Sequence, residues 1–177
     1  ARVRRCCEVP TEAILFNIDS KGDQWKEGDT SRTALLRAFE RVFFEHLGFF
    51  GEDLKLARLE QHIDSKGKTQ EFRAAYERIG GGNWLEDRES YSYFEDDIVE
   101  ALQEVLGMSE QAARHWFDGT EDDAIAADTF AKMVKQYADK RAEECGGAFR
   151  LLFMADEVGQ FIGSDADMST SLMLSLQ

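Results

Sequence analysis

The residues most able to do chemistry are two neighbouring carboxylates, Asp156 and Glu157. They close an unbroken apolar run, Leu151-Leu152-Phe153-Met154-Ala155. A buried strand of that kind would hold its C-terminal end rigidly at the rim of an α/β sheet, where ligands bind. An Asp at such a rim can hold the hydrated Mg²⁺ that bridges nucleotide phosphates. The acid after it can polarise an attacking water. The pattern has the shape of a Walker B motif, with Asp156 as the metal residue and Glu157 as the residue that activates water. The plain competitor is a solvated acidic pair at the start of a helix, where carboxylates complement the dipole.

An α/β sheet needs a second strand beside the first. Ala13-Ile14-Leu15-Phe16-Asn17-Ile18-Asp19 supplies it, bounded by Pro10 and by Ser20-Lys21-Gly22-Asp23. A continuous apolar run of this length suits a buried strand of a parallel sheet. The two strands, near 12–19 and 149–156, should pair in parallel through a helical crossover.

The chain between them, 30–146, reads as helical. Thr30-Ser31 can cap a helix with Leu35, Leu36, Phe39, Val42, Phe43 and Leu47 inward, closed by Gly48. Glu52 to Ile63 and Thr69 to Ile79 predict two more, the second broken by Gly80-Gly81-Gly82-Asn83. Phe94, Ile98, Leu102, Val105 and Leu106 recur at helical spacing. Ser109 can cap a short helix through Trp116 and Phe117. Asp122 to Cys145 predicts one long helix that stops at Gly146-Gly147. The fold class expected is therefore α/β: a short parallel sheet with a large helical insertion, the whole of 1–177 being one partial domain.

Several other patterns resemble functional sites. Gly67-Lys68-Thr69 resembles the end of a phosphate loop, but G-x-x-x-x-G-K-S/T requires Gly at position 62, where His62 stands. Helical periodicity precedes it in place of a strand, so an interhelical turn with Thr69 as cap is expected. His46, His62 and His115 are scattered, which favours structural roles over zinc. Cys6, Cys7 and Cys145 form no disulfide framework or metal spacing, and Cys145 reads as a free thiol in a reducing, cytoplasmic compartment. The aromatics read as core anchors, with Phe49-Phe50 either an exposed tip or a loop tucked inward. Glu95-Asp96-Asp97 and Glu121-Asp122-Asp123 read as first-turn acids, without the alternation of a calcium loop.

Composition narrows the partners. The 177 residues carry 21 Lys and Arg against 35 Asp and Glu, a formal charge of −14. That balance opposes a grip on nucleic-acid phosphates. No run approaches the roughly 20 apolar residues of a membrane span. With 43% apolar and 32% charged residues, the composition is that of a globular protein.

The longer string Leu151-Leu152-Phe153-Met154-Ala155-Asp156-Glu157-Val158-Gly159-Gln160-Phe161-Ile162-Gly163 resembles the Walker B region of the BrxC/PglY family. These are large P-loop ATPases of BREX-type phage-defence systems. Leu172-Met173-Leu174-Ser175-Leu176-Gln177 is similar to the helix that follows that motif. Val9 to Lys21 looks like a strand of the same ATPase domain. The resemblance covers roughly the two ends of the chain, and the middle matches only in helical character. It implies an internal fragment of a larger ATPase whose phosphate loop lies upstream, with ATP and Mg²⁺ as cofactors of the intact protein. It also implies other phage-defence proteins, or self-association, as partners. On that reading Asp156 binds the metal, Glu157 is catalytic, and the fragment alone does not turn over ATP. The competing expectation is an acidic, mostly helical protein–protein interaction domain without catalysis.

Overall fold

A computed structural model describes residues 9–17, 31–117 and 126–157, without the side chains of 31–33. Ile18, Asp19, Trp25, Cys6, Cys7, Asp122 to Ile125 and the stretch from Val158 to Gln177 lie outside the described residues. The expectations placed on them, including a C-terminal helix, concern parts of the chain that are not described.

The described chain is helix-rich with a two-stranded parallel sheet. In chain order the elements are β1 (Thr11–Asn17), α1 (Ser31–His46), α2 (Leu54–Ser65), α3 (Thr69–Gly80), α4 (Trp84–Asp87), a 3₁₀ segment (Arg88–Tyr93), α5 (Glu95–Leu106), α6 (Glu110–Arg114), α7 (Ala127–Glu144) and β2 (Arg150–Asp156). They form two compact units. The first comprises 1–43 and 124–177, and the second 44–123.

In the first unit β1 and β2 pair in parallel, Thr11 opposite Arg150 through Asn17 opposite Asp156. The expected pairing is thus found. Burial differs from expectation. Ile14 and Phe16 are each 7% exposed, whereas Leu15 is 73%, Met154 51% and Leu152 40% exposed. Successive strand residues point to opposite faces, and among the described residues the helices line one of them. There Phe39 of α1 meets Phe16 at 5.3 Å and Phe153 at 5.4 Å between ring centroids. Phe43 makes edge-on contacts with Phe130 and Tyr137 of α7 at 5.8 and 5.7 Å. Such offset and edge-on pairs suit the ring quadrupoles.

A polar tie fixes α7 over β1. The Tyr137 hydroxyl donates to Glu12 Oε2 at 2.6 Å, and Arg141 donates to Glu12 Oε1 through Nε at 2.9 Å and Nη2 at 2.7 Å. The Arg141 guanidinium also lies 5.6 Å from the centroid of the Phe149 ring. Gly146, at φ 77°, ends the helical region where the sequence places its stop.

Among the described residues the secondary structure of the second unit is helical. Its core joins Leu56, Leu59 and Ile63 of α2, Phe72, Ala75 and Tyr76 of α3, Trp84 of α4, and Ile98, Val99, Ala101 and Leu102 of α5. These recur every three or four residues, which gives each helix one apolar stripe. Local polar groups set the helix starts. Asp53, Asn83 and Ser109 accept from the backbone N–H of Leu56, Leu85 and Ala112, which satisfies otherwise orphaned donors. Glu95, Asp96 and Asp97 do occupy the first turn of α5.

Three details correct the sequence reading. Thr69 is the first residue of α3 and not its cap. Lys68 holds the cap position without a side-chain bond, while Thr69 Oγ1 donates to Asp64 Oδ1 at 2.9 Å. The segment after Ser109 is helical only to Arg114, and Trp116 and Phe117 sit in the turn that follows. Helix α7 begins at Ala127. Phe50 is half-buried against the second core, so that loop is tucked inward. Among the described residues no helix is long and apolar enough to cross a membrane.

Candidate functional site

Parallel pairing in register brings three polar side chains to the C-terminal rim of the sheet. Asn17 ends β1, Asp156 stands opposite it at the end of β2, and Glu157 follows. Asn17 Nδ2 donates to Glu157 Oε2, although 140 positions separate the two residues. Asp156 Oδ1 accepts from the backbone N–H of Glu157 at 2.8 Å. The pair of acids is exposed.

The backbone at Glu157 is unusual. Its φ is 57°, the one positive value at a non-glycine among the described residues. A β-carbon in this left-handed region costs roughly 1–2 kcal/mol. Residues held there against their preference cluster at functional sites. The turn aims the Glu157 side chain back across the rim toward β1, and Asn17 receives it.

The chemistry available is that of hard oxygen donors with a polarised neighbour. Asp156 spends one oxygen on a backbone N–H and has a second for a cation. Glu157 has Oε2 held by an amide and Oε1 for a water. Mg²⁺ usually keeps several waters and takes one or two protein carboxylates together with substrate phosphates. Two exposed acids at a sheet rim fit that demand. They do not amount to a self-sufficient metal cage, and among the described residues no group of three or more His, Cys, Asp or Glu side chains is arranged to hold a metal.

Sequence reasoning named Asp156 and Glu157 and missed Asn17. Its place opposite the first acid comes from the observed register, whereas the strand bounds expected from the sequence, 12–19 and 149–156, would pair position 19 with Asp156. The remaining candidates fall elsewhere. His62 packs its ring 5.2 Å from that of Trp116, His115 is exposed, and Cys145 is an exposed free thiol capping α7. Gly67, at φ 67°, lies in the turn between α2 and α3.

A second polar cluster occupies the interior of the helical unit. Glu60, 7% exposed, accepts from Trp84 Nε1 at 2.8 Å, from Arg88 Nη1 at 3.2 Å and from the backbone N–H of Phe50 at 2.6 Å. Arg88 also lies over the Phe50 ring, 5.3 Å from its centroid. Every Glu60 contact goes to its own unit, so the cluster is structural. Tyr76 donates to Asp87 Oδ2 at 3.1 Å, and burial, then that bond, then the charges of Asp87 and Asp97 push its hydroxyl well above the usual tyrosine range. No family model matches the chain, and no solved structure matches it.

Proposed function

We propose that the chain is part of a P-loop ATPase of the BrxC/PglY kind and supplies its Mg²⁺-holding and water-positioning acids. The observation that carries this reading is the alignment of Asn17, Asp156 and Glu157 at the C-terminal rim of a parallel strand pair. Ligands in open α/β sheets gather at that rim. The likeness of the string from Leu151 to Gly163 to the family's Walker B region supports the same reading.

In the proposed reaction a water attacks the γ-phosphorus in line with the β–γ bridging oxygen. The P–O bond to ADP breaks as the new P–O bond forms. Glu157 would orient that water and take its proton, and Asp156 would be the residue that holds Mg²⁺, which when bound would supply neutralisation of the phosphate charge. Asn17 fixes the direction in which Glu157 points. The helical unit, with its own core and none of these acids, would serve as an insertion that contacts other components of the defence system.

The test is ATP turnover by the chain extended upstream to include a phosphate loop. Glu157→Gln should cut kcat by 100-fold or more, on the order of 3 kcal/mol, with ATP still bound. Asp156→Ala should remove the Mg²⁺ dependence of binding. Full turnover by Glu157→Gln would overturn the assignment, as would an upstream sequence without G-x-x-x-x-G-K-S/T. The 177 residues alone should not hydrolyse ATP, because the phosphates would have one of their two anchors.

A further inference from the structure

Helix α7 lies over the sheet of the first unit and is held there lightly. None of its 18 residues is buried. The shorter α5 buries Ile98, Val99, Ala101 and Leu102. The inward stripe of α7, Phe130, Met133, Val134 and Tyr137, is half-buried throughout. Its packing rests on ring pairs. Phe130 meets Phe43 at 5.8 Å and Phe153 at 6.5 Å, and Tyr137 meets Phe43 at 5.7 Å and Phe149 at 6.2 Å between centroids. Elements that bury little apolar surface open before the rest of a fold.

We propose that α7 is a releasable strap: it undocks from the sheet as one piece, and Glu12 is its latch. Tyr137 and Arg141 stand four positions apart, one above the other on a helix face. Both donate to the Glu12 carboxylate, so a single strand residue grips two turns of the helix. Bonds to an ionised group are the strong ones, and this carboxylate is sheltered, with 24% of its side chain exposed.

The ends of α7 leave it free to move. Ala126 holds the N-terminal cap position without a side-chain bond. Gly146 and Gly147 follow the C-terminal end, and open space surrounds the position a β-carbon would take at each. Two such residues absorb backbone rotation readily.

Release would leave the sheet standing. The strands pair with each other, and Phe39 of α1 keeps its contacts with Phe16 and Phe153. What release uncovers is Phe43, 1% exposed while the strap is down. A helix of this length without tertiary contacts is marginal in water, so the released strap melts and its amides exchange with solvent. The inference does not rest on the nucleotide reading, and its failure would leave that reading untouched.

Hydrogen exchange followed by mass spectrometry on the full chain tests it. Protection across residues 130–141 should be at least about tenfold lower than across 35–43 of α1, and even through the middle of the helix. Glu12→Gln should lower the protection of α7 about tenfold further, the worth of one bond to a charged group, and leave α1 unchanged. Phe130→Ala keeps the latch, removes packing, and should act in the same direction on α7 alone. It decides between the same outcomes if Glu12→Gln does not fold. Equal protection in α7 and α1 overturns the proposal. So does protection lost only from the two helix ends, which is fraying. Loss of protection in α1 and α7 together, or an unchanged α7 in either variant, overturns it as well.

Discussion

Asn17 and Glu157 meet across the rim of the parallel sheet, an amide donor on β1 facing a carboxylate just beyond β2. One Glu157 oxygen is thereby fixed, and the direction of the other follows. In the ATPase reading Asn17 is a positioning residue. Asn17→Ala should lower kcat roughly tenfold, about 1.4 kcal/mol and the worth of one bond to a charged group, and leave KM for ATP unchanged. Asn17→Asp should do more harm, because a carboxylate would then face a carboxylate. Steady-state ATPase measurements on the extended chain separate the two. A rise in KM with constant kcat would mean that Asn17 touches nucleotide and does not hold Glu157.

Glu157 also opposes its own backbone. At φ 57° a glycine escapes the left-handed steric cost of roughly 1–2 kcal/mol but gives up roughly 0.5–1 kcal/mol more chain entropy on folding, so Glu157→Gly should stabilise the chain by up to about 1 kcal/mol. The exposed bond to Asn17 offsets little of that gain. Urea unfolding should show a higher midpoint with an unchanged slope, in a variant that has lost the proposed chemistry. Stability gained where activity is lost is the signature of a residue kept for function. A lower midpoint would make Glu157 a structural residue.

How much of this could be read beforehand varies with the physics involved. The strand pair was legible because two apolar runs bounded by breakers have few other uses, and because parallel strands require a long crossover. The acids at the rim were legible for the same reason. The exposed Leu15 was not, since an apolar residue in a strand says nothing about whether its face is covered. Asn17 escaped notice because its role comes from register, a long-range property. Thr69 was misplaced by one position: its hydroxyl binds Asp64, a side chain of the preceding helix, so the local cap preference lost to a neighbour. Glu60 lay unremarked in α2 because only the fold brings Trp84, Arg88 and Phe50 to it.

The tie between β1 and α7 makes stability depend on alkaline pH. Burial, and next the bond to Glu12, push the Tyr137 hydroxyl up to about 12 from its ordinary 10. The folded chain therefore holds this proton where the unfolded chain has lost it. The stabilisation is fully present below about pH 10 and is lost as pH rises through about 12. Urea midpoints for the native chain should fall over this range, and Tyr137→Phe should flatten that part of the fall. An identical slope in the variant would show that Tyr137 titrates as a free phenol.

Removing the acceptor inside the helical unit should be costly. Glu60→Ala leaves the buried indole N–H of Trp84 without its partner and strips Arg88 of its counter-charge. Breaking a buried pair from one side costs about 3–5 kcal/mol. Glu60→Gln keeps an acceptor for Trp84 and should cost about half as much, with loss of the charge-assisted bond. Equilibrium unfolding followed by tryptophan fluorescence gives both values. Equal stability of the two variants would mean that the charge, and not the acceptor, is what Trp84 and Arg88 require.

The glycines after α3 test the same unit without touching its core. Gly81 caps the helix at φ 74°, so Gly81→Ala should cost about 1 kcal/mol from backbone strain alone. Gly82 differs, because a β-carbon there would come within 1.9 Å of Asp87 Oδ2. The carboxylate would have to swing away, and it is the one that accepts the Tyr76 hydroxyl. Gly82→Ala should therefore lower the pH at which Tyr76 ionises, because the Asp87 bond is one of the causes that raise it. Gly81→Ala should leave that titration in place. Ultraviolet difference titration of tyrosinate, with Tyr76→Phe to identify the signal, distinguishes the two. A Gly81→Ala chain whose Tyr76 shifts as far as that of Gly82→Ala would show that the loop moves as one piece, and that Asp87 is not held by the missing β-carbon.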